Sequence, residues 1–274
     1  MATLLERLLT PKGQSTAGFV IGQDIDIAAH LRERYGDFGD LLALYARHSG
    51  AMVHKFHHYL PIYERYFGPY RGRPVKFLEI GVSKGGSLEL WRRYFGPDAV
   101  IFGIDIDPAC AQFDGQAASV RIGSQDDPEF LNRVVDEMGG LDVVLDDGSH
   151  QMDHLRTSLL TLFPRLSVNG LYMVEDLQTA FWRRFGGGYR ARKNFFNAVR
   201  QITDDMHHWY HDQPVALPQL KDVVTGIHVH EAIVVIDKGI VHRPTQSWVG
   251  EGSPFNQGVI GGEQTKAKDE AEDV

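Results

Sequence analysis

Hydrophobic residues between positions 75 and 176 form short runs that alternate with amphipathic segments. The runs predict five β-strands, at 75–82, 99–107, 119–123, 141–147 and 170–176. The segments between them have apolar residues at helical spacing and predict helices at 85–95, after Pro108, at 127–138 and at 151–166. Because strands and helices alternate in this order, we expect an α/β fold with a mostly parallel sheet and helices on both of its faces.

The chain before this repeat is predicted to be helical. Residues 24–48 predict one or two short helices that are broken near Gly36 and Gly39. Residues 50–70 are rich in histidine and tyrosine and predict a helical lead-in to the first strand. We therefore expect residues 1–70 to form an N-terminal helical arm and lid.

The chain after the repeat begins with an aromatic, glycine-rich loop, residues 177–191, which is long enough to be a lid. A helix at 194–210 and two strands at 223–231 and 232–240 follow, and the strands are expected to pair antiparallel at one edge of the sheet. The main domain is thus predicted to cover 71–240. The polar segment 241–274 is predicted to be a partly disordered tail.

Composition and charge limit the classes of function. The chain has 274 residues, of which 43% are hydrophobic and 23% charged, as in ordinary soluble globular proteins. A net charge of −8 argues against a nucleic-acid partner, and the densest basic cluster, RARK at 190–193, is short. Cys110 is the single cysteine, so no intramolecular disulfide is expected. With no signal-peptide pattern in residues 1–10 and no apolar run near the roughly 20 residues of a membrane helix, we expect a cytoplasmic protein.

Two carboxylates and a histidine end the fourth predicted strand, in the sequence LDVVLDDGSH. Ligands of open parallel sheets bind at the carboxyl ends of the strands, so chemistry is expected at Asp146, Asp147 and His150. Strand periodicity sends Asp146 and Asp147 to opposite faces of the sheet, which gives them different roles. The spacing of Asp147 and His150 can bring both side chains to one side of a pocket.

A second pair of carboxylates, Glu175 and Asp176, ends the next strand. Carboxylates at neighbouring strand ends repel one another unless a cation lies between them. Hard cations such as Mg²⁺ bind at all-oxygen sites of this kind. The two strand ends therefore predict a magnesium site.

The first strand is followed by a glycine-rich turn, EIGVSKGGS at 79–87, that opens a helix. Its glycines let the backbone approach a ligand closely, but the GxxxGG spacing differs from the GxGxxG of dinucleotide binders. The second strand ends at Asp105, where a carboxylate can bind both hydroxyls of a ribose. A ribose-bearing cofactor without phosphates, such as S-adenosylmethionine, fits this turn better than NAD does.

These motifs resemble those of class I S-adenosylmethionine-dependent methyltransferases, which have a Rossmann-like sheet. The segments FLEIGVSKGGSLELW, GIDIDP, LDDGSHQMDH and VEDLQTAFW are similar, more narrowly, to metal-dependent sugar O-methyltransferases. These enzymes act on macrolide deoxysugars or on rhamnosyl and mannosyl glycans. The resemblance covers about residues 50–240, and the DDGSH and ED strand ends are its most specific part.

The resemblance implies a role for each predicted site residue. It implies that His150 is the general base and that Mg²⁺ is held by Asp147, Glu175 and Asp176. It implies cofactor contacts at Glu79 and Asp105 and an adenine site near Gln125 and Asp126. We extend the predicted cofactor site to Gly81, Ser87, Asp146 and Tyr59.

One departure from the family concerns an Asp-Lys pair that precedes its His-x-Tyr or His-His-Tyr motif. Our alignment places Met52 and Val53 at this pair, ahead of His57-His58-Tyr59. The contribution of the pair to the site is therefore in doubt for this chain.

Each assignment has a structural alternative. Asp146 and Asp147 can cap a helix, His150 can hold a turn, and Glu175 with Asp176 can be solvated. Asp153 and His154 fit the exposed first turn of a helix. The loop aromatics can face a sugar or anchor the loop: Phe181, Trp182, Phe185 and Tyr189. Five histidines near the C-terminal helix and edge strands lack a cysteine or third ligand at suitable spacing, and they are interpreted as ordinary helix and edge-strand residues: His207, His208, His211, His228 and His230.

The sequence as a whole predicts Mg²⁺-dependent methyl transfer from S-adenosylmethionine to a sugar hydroxyl of a glycoside, polysaccharide or glycolipid. Mg²⁺ would bind two neighbouring hydroxyls, and the imidazole of His150 would accept the proton. The alternatives are a catechol-type O-methyltransferase, a non-catalytic cofactor-binding scaffold and, more distantly, an NAD-dependent oxidoreductase. We expect a sugar-containing acceptor, no nucleic-acid partner, no membrane span and a homo-oligomer.

Overall fold

The structure is a computed structural model that describes residues 25–247, 249 and 250. Most of the predicted tail, residues 241–274, and the first 24 residues of the predicted arm lie outside the described residues. No helix in the described part of the chain is long and apolar enough to cross a membrane.

Seven strands form one sheet, and their bounds follow the hydrophobic runs of the sequence. They are β1 (Lys76–Ile80), β2 (Val100–Asp105), β3 (Ser119–Ile122), β4 (Val143–Asp146), β5 (Leu171–Val174), β6 (Val224–His230) and β7 (Ile233–Lys238). The order across the sheet is β3-β2-β1-β4-β5-β7-β6. Strands β1 to β5 are parallel, and β7 is antiparallel to both β5 and β6. The predicted parallel sheet with an antiparallel edge hairpin is confirmed.

Helices cover both faces of the sheet, as the alternating pattern predicts. They are α1 (Ile27–Tyr35), α2 (Asp40–Ala46), α3 (Tyr59–Phe67), α4 (Gly86–Phe95), α5 (Pro128–Met138), α6 (Met152–Leu162) and α7 (Phe195–Met206). Buried residues of α1 to α4 form one core with one face of the sheet, and those of α5 to α7 form a second core with the other. In β4, Val144 belongs to the second core and its neighbours Val143 and Leu145 to the first, as strand alternation requires.

Local sequence signals account for several helix ends. Asp127 caps α5 by accepting hydrogen bonds from the backbone of Glu129 and Phe130, and Pro128 occupies the first helical position. The break between α1 and α2 lies at Gly36 and Gly39, whose φ angles are 77° and 104°. The predicted break is therefore confirmed.

The lead-in at 50–70 differs from its prediction. Only Tyr59–Phe67 is α-helical, and residues 51–56 form no helix. These residues run along a cavity at the carboxyl ends of the strands, where the Lys55 side chain bonds to groups on β1 and on the loops after β4 and β5. A tertiary interaction that sequence periodicity does not contain thus decides the conformation here.

Candidate active site

A cavity of about 420 Å³ opens at the carboxyl ends of β1, β2 and β4. The strand order reverses between β1 and β4, which is where open α/β sheets bind ligands. The volume falls within the range of small-molecule and cofactor sites. Five stretches line it, 52–56, 80–84, 104–106, 123–125 and 147–150, together with Tyr59, Ser87, His154, Glu175 and Asp176.

Asp147, His150 and Asp176 converge at one end of this cavity. One donor atom of each lies within 4.8 Å of the other two. His150 Nε2 is 3.9 Å from Asp147 Oδ1 and 3.7 Å from Asp176 Oδ2. Paired carboxylate oxygens are the ligands that Mg²⁺ prefers, and they repel one another without a cation. The donor set of Asp147 and Asp176 therefore fits the expected metal, with an imidazole beside it.

The backbone at two of these residues adopts an uncommon conformation. His150 and Asp176 have φ angles of 56° and 57°, in the left-handed region that non-glycine residues rarely adopt. Such positions cost free energy and concentrate at functional sites. The Tyr59 hydroxyl further fixes Asp176 by donating to Oδ1 over 2.7 Å, which leaves Oδ2 on the side of His150.

Glu175 lies beside this group and makes further contacts of its own. Its side chain is buried, Oε1 lies 2.7 Å from Lys55 Nζ, and Oε2 accepts a hydrogen bond from the Tyr63 hydroxyl. Each carboxylate oxygen therefore has one partner within the protein. Binding of a metal by Glu175 stays a prediction from the resemblance.

Lys55 supplies the positive charge at the centre of the site. Its Nζ is 2.5 Å from Asp147 Oδ2, 2.7 Å from Glu175 Oε1 and 3.9 Å from Glu79 Oε1. Burial disfavours the ammonium, but attraction by Asp147 and Glu175 outweighs it and holds the pKa of Lys55 well above its usual value. Lys55 stays charged and compensates Asp147, and its attraction opposes the rise in pKa that burial causes at Glu175 and Glu79.

Glu79 lies behind the cavity wall. It is fully buried, and it accepts hydrogen bonds from Ser87 Oγ over 2.8 Å and from Trp91 Nε1 over 3.2 Å. Burial raises the pKa of Glu79 to about 7, against the attraction of Lys55. Of the predicted cofactor contacts Glu79 and Ser87, only Ser87 lines the cavity that the described residues form.

Asp146 is a structural residue, which corrects its predicted role in cofactor binding. It is fully buried and does not line the described cavity wall. It accepts hydrogen bonds from Ser158 Oγ, Tyr172 Oη and Gln125 Nε2 over 2.6, 2.7 and 3.0 Å. Gln125 Oε1 in turn accepts from the backbone of Ser149 over 2.6 Å. The pair of Asp146 and Gln125 thus holds the loop that carries Asp147 and His150.

The glycine-rich turn lines the cavity next to the strand end that carries Asp147. Gly81 has a φ of 99°, and a Cβ there would lie 2.2 Å from the carbonyl oxygen of Asp147. Only glycine therefore lets the turn after β1 approach the end of β4.

Asp105 fixes the same turn. Its carboxylate accepts from the backbone N–H groups of Val82, Ser83 and Asp107 over 2.9 to 3.0 Å. Burial opposes ionisation, but these hydrogen bonds hold the pKa of Asp105 below its usual value. An ionised carboxylate with one lone pair left in a glycine turn fits a ribose hydroxyl.

His154 separates the predicted adenine residue Asp126 from the cavity. His154 lines the cavity, contrary to the expectation of an exposed helical turn, whereas Asp153 is exposed as expected. The Nε2 of His154 is 3.3 Å from Asp126 Oδ2, and its Nδ1 is 2.9 Å from Ser149 Oγ. Gln125 lines the cavity and Asp126 does not.

Comparisons with known proteins find similar methyltransferases among curated sequences and solved structures. No family model matches the sequence. The chain is 37% identical over 213 residues to 8-demethyl-8-(2-methoxy-alpha-L-rhamnosyl)-tetracenomycin-C 3'-O-methyltransferase from Streptomyces olivaceus, an alignment that covers 73% of this chain and 54% of the relative. It is 33% identical over 271 residues to L-olivosyl-oleandolide 3-O-methyltransferase from Streptomyces antibioticus, which covers 84% of this chain and 67% of the relative. The chain belongs to this family of sugar O-methyltransferases.

A solved structure of the same family has a similar fold. The MycE methyltransferase of the mycinamycin biosynthetic pathway, in complex with Mg, SAH and mycinamycin VI, superposes with a TM-score of 0.63 at 30% identity. The match covers 80% of this chain and 55% of MycE. The chain spans only about half the length of most of the curated sugar O-methyltransferases that it matches.

The structure places a lysine at the site that the alignment of Met52 and Val53 does not account for. Lys55, two residues before His57, is buried and lies 2.5 Å from Asp147 Oδ2. The residue before it, His54, is exposed. The placement of Met52 and Val53 at the family's Asp-Lys pair stays a prediction from the resemblance.

Sequence reasoning missed both Lys55 and Tyr63, which hold Glu175. One signal was present: Lys55, Tyr59 and Tyr63 recur every four residues in an otherwise apolar and histidine-rich segment. A lone lysine in such a segment is rarely buried without an acidic partner.

Proposed function

We propose that this protein transfers a methyl group from S-adenosylmethionine to a hydroxyl of a sugar in a Mg²⁺-dependent reaction. The observation that carries the proposal is the convergence of Asp147, His150 and Asp176 in a cavity that is also lined by the glycine turn and Asp105. Membership in a family of sugar O-methyltransferases supports it. So does the presence of Mg and SAH in the MycE complex.

In the proposed reaction, Asp147 and Asp176 would hold Mg²⁺. Bound Mg²⁺ would lower the pKa of a sugar hydroxyl. His150 lies beside both carboxylates and would accept the hydroxyl proton. The new O–CH₃ bond forms as the S–CH₃ bond of the sulfonium breaks, which leaves S-adenosylhomocysteine and a neutral methyl ether. The protein contributes mainly by holding hydroxyl, base and methyl group in line.

Lys55 and Tyr59 would position the acidic groups in this scheme. Lys55 compensates Asp147 and Glu175, and Tyr59 orients Asp176. Neither would take a proton from the acceptor. The homo-oligomer and the cytoplasmic location stay predictions from the sequence.

The test is transfer of a labelled methyl group from S-adenosylmethionine to a panel of rhamnosides, mannosides and catechols, with Mg²⁺ or with EDTA. We expect methylation of glycosides that EDTA abolishes. Activity that is insensitive to EDTA would refute the metal assignment. Methylation of catechols alone would favour the catechol-type alternative.

A further inference from the structure

The segment between β5 and α7 concentrates positive charge in an otherwise acidic chain. Residues 177–203 contain six arginine or lysine residues and no aspartate or glutamate, whereas the whole chain has 36 acidic residues and a net charge of −8. Five of the six cations lie between positions 183 and 193. We refer to residues 182–193 as the basic loop.

Four guanidinium groups of the basic loop have no carboxylate or hydrogen-bond partner among the described residues. Arg183, Arg184, Arg190 and Arg192 are exposed, and no ion pair or guanidinium hydrogen bond joins them to the described part of the chain. Lys193, in contrast, pairs with Asp153 over 2.5 Å. Four like charges within ten residues repel one another, and a bound anion would offset that repulsion.

The backbone of the basic loop is held in place by its own hydrogen bonds. The buried Asn194 side chain donates to the carbonyl oxygens of Ala180 and Gly188 over 2.9 and 3.0 Å. The backbone N–H of Gly188 also donates to Ala180 over 2.8 Å. The guanidinium groups therefore project from a fixed scaffold.

The basic loop lies beside the acceptor end of the cavity. Gln151 Nε2 donates to the carbonyl oxygen of Arg184 over 3.4 Å, and the Phe185 ring is 6.2 Å from the ring of His150. The Arg184 guanidinium lies 4.9 Å from the Phe185 ring centre and 4.8 Å from that of Trp182. One aromatic ring thus separates a free guanidinium from the proposed base. The glycine turn and Asp105, which would bind the cofactor, lie instead at the ends of β1 and β2.

Two of the four guanidinium groups lie near aromatic rings. Arg184 stacks on Trp182 and Phe185, and Arg190 lies 5.4 Å from the centre of the Tyr189 ring. An ordered guanidinium loses less side-chain entropy on binding and offers two parallel N–H donors to an oxyanion. Arg184 and Arg190 are therefore the residues with which to test the loop.

We propose that the sugar acceptor carries an oxyanion, a phosphate or a carboxylate, and that the basic loop binds it through Arg184 and Arg190. This inference rests on the proposed function and specifies its acceptor class. The oxyanion would lie about one sugar ring away from the hydroxyl at His150, and the faces of Trp182 and Phe185 would contact the sugar between them.

The test is calorimetric titration of the full chain, loaded with S-adenosylhomocysteine and Mg²⁺, with four probes. These are methyl mannoside, mannose 1-phosphate, mannuronate and inorganic phosphate. The variant is R184A/R190A, and the matched control R32A/R133A removes two exposed arginines elsewhere with the same change in charge.

We expect at least one anionic sugar to bind at least tenfold more tightly than methyl mannoside, an advantage that shrinks as salt rises. R184A/R190A should remove this advantage and leave the affinity for S-adenosylhomocysteine unchanged, and R32A/R133A should retain both. Preference for mannose 1-phosphate over mannuronate, or the reverse, identifies the oxyanion. The inference would be overturned if neutral and anionic sugars bound equally well, or if the anionic sugars kept their higher affinity in R184A/R190A. It would also be overturned if only inorganic phosphate bound tightly.

Two further measurements separate this inference from its alternatives. If labelled methyl is transferred equally to neutral and anionic glycosides, the inference fails and the proposed function stands. If no glycoside is methylated but anionic sugars still bind through Arg184 and Arg190, the proposed function fails and the anion site stands. If R184A/R190A weakens binding of a single-stranded RNA but not of the anionic sugars, the loop binds nucleic acid and the inference is wrong.

Discussion

At the scale of single residues, Lys55 is the group on which the other charges depend. Its ammonium is buried between carboxylates from three different parts of the chain, Glu79, Asp147 and Glu175. Removing one partner from a buried ion pair leaves an uncompensated buried charge, which is far more costly than losing an exposed pair.

We expect Lys55→Met to lower the free energy of unfolding by about 3–5 kcal/mol. The matched control is Lys221→Met, because Lys221 is partly exposed and lies 4.0 Å from Asp222. That substitution should change stability by no more than about 0.5 kcal/mol. Urea denaturation at pH 7 with EDTA measures both, and equal stability of the two variants would show that Lys55 does not compensate the site.

Because of Glu79, the free energy of unfolding should decrease as pH rises. Its pKa rises from 4.5 to about 7 on folding because it is buried, so between these values the folded state binds more protons than the unfolded state. The stabilisation is complete below pH 4.5 and is lost as pH rises through 7, with a total of roughly 3 kcal/mol.

Glu79→Gln should therefore become more stable relative to the wild type between pH 5 and pH 8, as measured by urea denaturation at each pH. Glu137→Gln is a control of opposite sign, because hydrogen bonding to Arg121 lowers the pKa of Glu137. The wild type should lose stability relative to that variant as pH falls below 4.5. A stability difference for Glu79→Gln that does not change with pH would contradict the assignment.

His150 is expected to affect the rate of methyl transfer and not the binding of the cofactor. His150→Ala should lower kcat by about 10²–10⁴-fold, the usual contribution of a general base. The affinity for S-adenosylhomocysteine, measured by calorimetry, should remain unchanged. His207→Ala, a substitution of an exposed histidine at the end of α7, should leave both quantities unchanged. A variant of His150 with full activity would assign the proton transfer to another group.

At the scale of elements, the turn after β1 shows how one glycine joins two strand ends. Gly81 and Gly96 have nearly the same φ, 99° and 97°, but only Gly81 has atoms within 4 Å of where a Cβ would lie. Alanine at either position pays the backbone cost of positive φ, of order 1–3 kcal/mol. Gly81→Ala must in addition push the turn away from Asp147.

We therefore expect Gly81→Ala to bind S-adenosylhomocysteine at least tenfold more weakly and to be less stable than Gly96→Ala. Calorimetry and thermal denaturation of the two variants measure this difference. If both variants lost the same stability and bound the cofactor product equally, the close approach of the turn to β4 would have no role in binding.

The elements that sequence predicts well are those whose signal is local. The strands and most helices follow from the period of apolar residues, and the cap at Asp127 with Pro128 marks the start of α5. The segment 51–58 was predicted as helix and is not, because its conformation depends on bonds from Lys55 to carboxylates 92 and 120 residues away. Periodicity cannot report contacts at that separation.

The sequence predicts which residues of the candidate site stand at strand ends, but not which of them face the cavity. Asp147, His150 and Asp176 stand at strand ends, and the sheet topology alone brings strand ends together. The side chain of Asp146 was predicted to point away from Asp147, and it does, but its burial against Ser158 and Tyr172 depends on α6 and β5. Which of two neighbouring carboxylates faces a ligand is thus a tertiary property.

At the scale of the whole molecule, metal binding and folding should be linked. A ligand that binds only the folded state raises the free energy of unfolding, by about 2.7 kcal/mol at a concentration of one hundred times Kd. We expect Mg²⁺ to raise the melting temperature of the wild type and of Asp153→Asn, an exposed control. Asp176→Asn should lose this effect.

Glu175→Gln distinguishes the two interpretations of Glu175. If the melting temperature of that variant still rises with Mg²⁺, Glu175 serves as the partner of Lys55 and Tyr63, as its contacts indicate. If the rise is lost as in Asp176→Asn, Glu175 binds the metal as the family resemblance implies.

The position of Lys55 has a consequence for how this chain can be divided. A fragment that starts at residue 71 contains every strand of the sheet and the acidic side chains of Glu79, Asp147, Glu175 and Asp176. It lacks the Lys55 ammonium and the two phenols that compensate and orient them. The cavity of such a fragment would contain negative charge that no lysine compensates. The segment before residue 71 therefore supplies the compensating charge of the site, and a fragment that keeps these contacts must begin before Lys55.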